Sequence, residues 1–121
     1  MLGIMEAPSC PEFVPLDHAA AIDALIASSI ARPALLFLHD WSCPISERAE
    51  DQLLRLKETV HTVDVTTLHD LNHYIASATG VRHESPQLFV FHGGRRVFEA
   101  SHGRIRADVL TALLAELRAG V

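Results

Sequence analysis

A continuous apolar run from Ala34 to His39 is the feature that most restricts the fold of this chain. The run follows Pro33, and its length is typical of a strand that is buried on both faces. Such a strand needs helices above and below it. A helix start comes soon afterwards, because Cys43-Pro44 precedes apolar residues at helical spacing. The sequence therefore predicts an α/β architecture.

The other segments alternate between helical and extended patterns. Apolar spacing predicts helices over 18–31, 43–58, 68–80 and 109–117, and extended runs predict strands over 13–16, 34–39, 60–65, 88–91 and 96–98. Pro15 confines the first strand to a sheet edge, and Gly93-Gly94 joins the last two strands as a hairpin. The order β-α-β-α-β-α-β-β-α implies a mixed sheet with helices on both faces. Thioredoxin-like proteins use this order, so we expect a thioredoxin-like fold.

Length and charge limit the classes of protein that remain. The chain has 121 residues, which we divide into an irregular lead-in, 1–12, and a single thioredoxin-like domain, 13–121. A formal net charge of −5 argues against nucleic acid and anionic membranes as partners. No stretch approaches the roughly 20 apolar residues that span a bilayer. With two cysteines and no signal-peptide pattern, the sequence predicts a cytoplasmic protein with reduced thiols.

Cys43 has the position of a reactive thiol. A side chain at the start of a helix faces unpaired backbone N–H groups and the positive end of the helix dipole, and both favour the thiolate. The thiolate is the attacking species in thiol–disulfide exchange. The alternative is a buried, unreactive cysteine. The strand–Cys–Pro–helix context favours a catalytic nucleophile at Cys43.

Ser46 occupies the position that the second cysteine has in a Cys-x-x-Cys motif. A hydroxyl cannot close a disulfide, so a mixed disulfide on Cys43 needs a thiol from elsewhere. Ser46 either hydrogen-bonds the Cys43 sulfur or accepts from free backbone N–H groups. Cys10 could be a resolving thiol or could have no essential role.

Several further residues are candidates for substrate binding or support. In thioredoxin-like folds, a proline at the position of Pro86 has a cis peptide bond and lies against the active sulfur, which would expose the Ser85 backbone to a substrate. His39 and His102 either act on the Cys43 thiolate or form structural hydrogen bonds. Trp41 either packs beside a bound thiol or covers the edge of the site. We expect no metal site, although His69 and His73 have a spacing that could chelate one.

The segment Ser42 to Ser46 resembles the Thr-Cys-Pro-Ile-Ser signature of the monothiol bacilliredoxins, the glutaredoxin-like type. The resemblance extends to the segment Gly80 to Gln87 and to Ser101-His102, and it covers residues 13 to 117. Ser42 replaces the signature threonine and keeps its hydroxyl. Gly103 stands where the family pattern carries a tryptophan.

The resemblance implies an activity and its partners. Monothiol bacilliredoxins remove bacillithiol from S-bacillithiolated proteins, and the nucleophile of the family corresponds to Cys43. A second bacillithiol then reduces the mixed disulfide, and an NADPH-dependent flavin reductase reduces the resulting bacillithiol disulfide. The bacilliredoxin itself binds no cofactor. Thioredoxins carry a buried carboxylate where this chain has Phe37, which agrees with chemistry that needs no second cysteine.

Two alternative functions remain open at the level of sequence. A two-cysteine oxidoreductase would use Cys10 as its resolving thiol. A thioredoxin-fold adaptor module would bind partners without redox turnover.

Overall fold

A computed structural model of the chain describes residues 12–120. The strands are β1 (Glu12–Pro15), β2 (Ala34–His39), β3 (Thr59–Asp64), β4 (Gln87–His92) and β5 (Arg95–Ser101). The helices are α1 (Ala19–Ser28), α2 (Pro44–Leu54), α3 (His69–Thr79) and α4 (Ala107–Arg118), and a 3-10 turn, η1 (His102–Arg104), follows β5. The predicted order of elements is confirmed. None of the helices over 12–120 has the length and apolarity that a membrane crossing requires.

The five strands form one mixed sheet in the order β1-β3-β2-β4-β5. β1 and β2 both pair with β3 in parallel, whereas β4 runs antiparallel to β2 and to β5. β1 is an edge strand, as Pro15 predicts, because proline cannot donate to a sheet ladder. β2 lies at the centre, and all six of its residues are buried.

The sheet has a separate apolar core on each face. On one face, α1 and α3 pack against alternate residues of the central strands, such as Leu36 and Phe89. On the other face, α2 and α4 pack against the intervening residues, such as Phe37 and Val90. The two-residue repeat of a strand directs neighbours to opposite faces, so a central strand that is covered twice must be apolar throughout.

Several boundaries differ from the sequence prediction, among them the end of α1 at Ser28 instead of 31, the start of α4 at Ala107 instead of 109, and the extent of β5, Arg95–Ser101 instead of 96–98. β1 begins at Glu12, one residue early, and η1 was not predicted. The prediction that α2 continues to Glu58 is wrong, because the helix ends at Leu54. The Leu56 N–H bonds to the Leu53 carbonyl, which tightens the last turn, and Lys57 has a left-handed φ of 55° that redirects the chain into β3. The predicted stop at Gly80 is confirmed, with a φ of 72°.

Adjacent leucines of α2 test how far the sheet-facing core stabilises the fold. Leu53 is fully buried, whereas Leu54 is 42% exposed. We expect Leu53→Ala to lower the free energy of unfolding by about 2–5 kcal/mol, because it removes buried methyl groups and leaves a cavity. Leu54→Ala, the matched control, should change it by about 0.5 kcal/mol or less. Urea unfolding measures both values, and equal losses for the two variants would contradict the assigned packing.

Candidate active site

Three neighbouring strands place the candidate residues at one end of the sheet. His39 ends β2, and its neighbour Leu38 pairs with Gln87, the first residue of β4. Gln87 also pairs with Ser101, the last residue of β5. The turn and helix start after β2, the loop before β4 and the turn after β5 therefore meet at the same end. These segments carry the site residues that the sequence predicts.

Cys43 is the N-cap of α2 and Pro44 is its first residue, as the sequence predicts. The Cys43 N–H donates to the Asp40 carbonyl at 3.0 Å, and its carbonyl accepts from the Glu47 N–H at 3.0 Å. The side chain is partly exposed and makes no capping hydrogen bond. The backbone of Cys43 is thus fixed by the turn and the helix, and its sulfur is available for chemistry.

The turn that carries Cys43 is organised by Asp40, a residue that the sequence analysis missed. The Asp40 carboxylate accepts from the N–H of Ser42 at 2.9 Å and from its hydroxyl at 2.7 Å. These bonds hold the pKa of Asp40 below its usual value. An Asp two residues before a Ser is the signal that could have predicted this turn. Ser42 is therefore a structural member of the turn as well as a signature residue.

Ser46 lies fully buried in the first turn of α2. Its hydroxyl oxygen accepts from the Asp40 N–H at 3.3 Å, which ties the end of the β2–α2 turn to the helix. Of the two roles that the sequence left open, the structure shows acceptance from a backbone N–H. Residues 12–120 provide no hydrogen bond from Ser46 to the Cys43 sulfur.

His39 and Trp41 form an aromatic column beside this turn. The His39 ring stacks on Phe37 at 4.6 Å and meets the Trp41 ring edge to face at 3.8 Å. His39 is buried, and neither ring nitrogen has a hydrogen-bond partner among the described residues. Residues 12–120 thus supply no structural hydrogen bond to the His39 side chain, and the ring is held by aromatic packing. Burial lowers the pKa of His39, against the opposing effect of Asp40 and Asp64. Trp41 covers the ring and is 53% exposed.

The loop before β4 completes the site. The Ser85–Pro86 peptide bond is cis, as expected, and the Pro86 carbonyl accepts from the His102 N–H at 3.0 Å. Gln87, which is fully buried, donates to the Arg82 carbonyl and accepts from the Glu84 N–H. Sequence analysis did not assign this positioning role to Gln87. A glutamine at the start of an otherwise apolar strand is the signal for it.

The remaining candidates of the predicted site are His102, the His69–His73 pair and Cys10. His102 is exposed, and its Nε2 lies 3.7 Å from a Glu84 carboxylate oxygen. No group of three His, Cys, Asp or Glu side chains in the described region is arranged to hold a metal ion, so His69 and His73 gain no third ligand there. Cys10 lies outside the described residues.

Comparison with known families decides what kind of thiol protein this is. The sequence model of the family described as "Monothiol bacilliredoxin BrxC" matches residues 14–110. The chain belongs to the monothiol bacilliredoxin BrxC family. It is therefore a thiol–disulfide oxidoreductase, which excludes the non-catalytic adaptor hypothesis. The family match begins after Cys10, so the matched region of this bacilliredoxin contains Cys43 alone.

Solved structures agree with the family and with the fold. An oxidoreductase with a thioredoxin fold is 30% identical, with a TM-score of 0.76, and the alignment covers 83% of this chain and 91% of that one. A thioredoxin from Halobacterium salinarum is 25% identical, with a TM-score of 0.65 and coverages of 93% and 94%. An oxidised thioredoxin from Plasmodium falciparum, 13% identical with a TM-score of 0.64 and coverages of 88% and 98%, shares the fold. The thioredoxin-like fold is thus confirmed.

The buried imidazole of His39 makes stability depend on pH. Its pKa in the folded chain lies below the ordinary value of about 6.5, so below that pH the unfolded chain binds more protons. The free energy of unfolding should fall as the pH drops below about 6.5, and His39→Phe should make that fall shallower. His61 and His83, whose pKa values burial also lowers, keep part of the dependence.

Urea unfolding between about pH 5 and pH 8, the range over which histidine side chains titrate, measures this dependence. His18→Phe is the control, because His18 is exposed. Identical pH profiles for wild type and His39→Phe would contradict the assigned burial.

Proposed function

We propose that this protein removes bacillithiol from S-bacillithiolated proteins through a mixed disulfide on Cys43. The observation that carries the proposal is the start of α2, where a partly exposed cysteine is the N-cap and a buried serine occupies the third helical position. The serine removes the usual partner for an internal disulfide, so a mixed disulfide on Cys43 waits for a thiol from outside the chain. Membership of a monothiol bacilliredoxin family supports bacillithiol as the thiol that is transferred.

The reaction has two exchange steps. In the first, the Cys43 thiolate attacks the bacillithiol sulfur of the substrate disulfide, and the substrate cysteine leaves as a thiolate. In the second, a free bacillithiol thiolate attacks the bacillithiol sulfur on Cys43, which releases bacillithiol disulfide and restores the Cys43 thiolate. The pair of electrons that completes the cycle comes from NADPH through a separate bacillithiol disulfide reductase. The bacilliredoxin needs no bound cofactor for either step.

The surrounding residues support these steps in different ways. Ser85 precedes the cis proline at the same end of the sheet, and we assign its backbone to pairing with the substrate chain. The exposed indole of Trp41 provides an apolar surface beside the nucleophile. His102 holds the Pro86 loop through its N–H. His39 acts as a neutral packing residue beneath Trp41, because burial lowers its pKa.

The partners follow from this chemistry. They are S-bacillithiolated proteins, free bacillithiol and, indirectly, the reductase. We place the reaction in the cytoplasm, where low-molecular-weight thiols keep protein cysteines reduced.

The first step is tested by transfer of the adduct. An S-bacillithiolated protein is mixed with this chain without free thiol, and intact mass spectrometry follows both partners. We expect the chain to gain the mass of one bacillithiol on Cys43 as the substrate loses it. Cys43→Ser should abolish the gain, and Cys10→Ser, the matched control, should retain it. A wild-type chain that gains no adduct, or transfer that survives in Cys43→Ser, would refute the proposal.

A further inference from the structure

A groove of about 900 Å³ runs alongside α2, next to the candidate active site. Its walls are one side of α2 and the segment from η1 to the start of α4, and we call it the α2–η1 groove. Ile45, the second residue after Cys43, is part of its lining. His102, whose N–H bonds to the Pro86 carbonyl, lines the facing wall. The groove therefore begins between neighbours of the nucleophile and of the cis proline.

The lining of the α2–η1 groove contains more basic than acidic side chains, although the chain as a whole is acidic. Arg48, Arg55 and Arg106 line it, with Asp108 as the acidic residue of the lining. Asp108 is neutralised by Arg106, whose guanidinium lies 2.7 Å from the carboxylate. Arg48 and Arg55 are exposed and form no ion pair within residues 12–120. Two guanidinium groups without an ion pair in the described region thus line a concave surface, which favours an anionic ligand.

Distance along the helix separates the two free arginines. At about 1.5 Å per residue, Arg48 lies about 7 Å along the helix axis from Cys43, and Arg55 lies about 18 Å away. Helical side chains also lean toward the N-terminus, which brings the Arg48 guanidinium back toward the nucleophile. An anionic group on a small molecule attacking at Cys43 can reach Arg48, but it falls short of Arg55.

Gly103 keeps the groove open. It lines the η1 wall, and a Cβ built on it meets no heavy atom within 4 Å. Its φ is outside the left-handed region, so the backbone does not require glycine here. The space around Gly103 accommodates a Cβ, and a longer side chain would reduce the free volume of the groove.

We propose that the α2–η1 groove binds the anionic part of the thiol that resolves the Cys43 mixed disulfide, so that acidic thiols are preferred over neutral and cationic ones. The inference rests on the second step of the proposed function. The incoming thiolate forms a disulfide with the small thiol on Cys43, and Cys43 leaves as a thiolate. Arg48 is a specificity residue in this step, because it attracts the charge of the incoming molecule.

The test separates charge from intrinsic reactivity. Cys43 of the Cys10→Ser protein is loaded as a mixed disulfide with 2-mercaptoethanol, and its release is timed by mass spectrometry. The releasing thiols are mercaptosuccinate, 3-mercaptopropionate, 2-mercaptoethanol and cysteamine, which differ in charge. Each rate is divided by the rate of the same thiol with bis(2-hydroxyethyl) disulfide at the same pH, which corrects for thiolate fraction and nucleophilicity.

We expect the normalised rate to be highest for mercaptosuccinate and lowest for cysteamine, and the difference to shrink with added salt. Arg48→Gln should lower the mercaptosuccinate rate roughly two- to fivefold, the range for a solvent-exposed charge pair, and leave the 2-mercaptoethanol rate unchanged. Arg55→Gln should have a smaller effect. Arg95→Gln is the matched control, because Arg95 lies at the hairpin end of β5. Gly103→Leu should lower the mercaptosuccinate rate, whereas Gly103→Ala should not.

Equal normalised rates for all four thiols would overturn the inference. It would also be overturned if Arg48→Gln slowed adduct transfer from a bacillithiolated protein and left the release step unchanged, since the groove would then contact the protein. Urea unfolding confirms that each variant is folded. Adduct transfer from the protein substrate does not depend on the groove. A failure of that transfer would refute the proposed function, whereas equal release rates would refute only the charge preference.

Discussion

The hydrogen bonds of Asp40 hold the active end of this molecule together. Its carboxylate accepts twice from Ser42, its N–H donates to Ser46, and its carbonyl accepts from the N–H of Cys43. One residue thus connects the end of the central strand to both the nucleophile and the first turn of the helix behind it. The short link from a buried strand to a helix start leaves Cys43 little freedom of position.

The same turn explains why the chemistry stops at one thiol. Ser46 is buried, and its hydroxyl is used to tie the turn to α2. In a two-cysteine protein the equivalent side chain closes a disulfide, and a buried carboxylate can move the proton. Here that carboxylate position is Phe37, which is fully buried and stacks on His39. Phe37 cannot relay a proton, and chemistry without a second cysteine at the position of Ser46 does not need such a relay.

Much of the fold and part of the site could be predicted from the sequence, because the decisive patterns are local. The apolar run of β2, the helix start at Cys43 and the double glycine of the hairpin each depend on neighbouring residues. The cis bond before Pro86 was expected from the fold. By contrast, α2 ends at Leu54 because of the left-handed conformation at Lys57, which has no clear local signal.

Features that join distant segments were not predictable. The α2–η1 groove exists because α2 packs beside residues that follow β5, and the Gln52 side chain accepts from the Ala107 N–H across that junction. For His39 the sequence left open an action on the Cys43 thiolate or a structural hydrogen bond. Whether a buried histidine finds polar partners depends on which side chains the sheet register places around it, and here these are Phe37 and Trp41.

A missing second thiol, and nothing else at this helix start, makes the protein monothiol. Residues at the N-cap and the third helical position face each other closely enough to bond, so Ser46→Cys supplies a thiol within reach of Cys43. Two proteins are compared, Cys10→Ser alone and Cys10→Ser with Ser46→Cys. Each is loaded with the bacillithiol adduct on Cys43, free thiol is removed, and intact mass spectrometry follows the adduct. We predict that the protein with Ser46 keeps the adduct. The Ser46→Cys protein should expel it and become two hydrogens lighter than its reduced form, because a disulfide joins Cys43 to the introduced thiol. An adduct equally stable in both proteins would show that the missing thiol at position 46 is not what makes the protein monothiol.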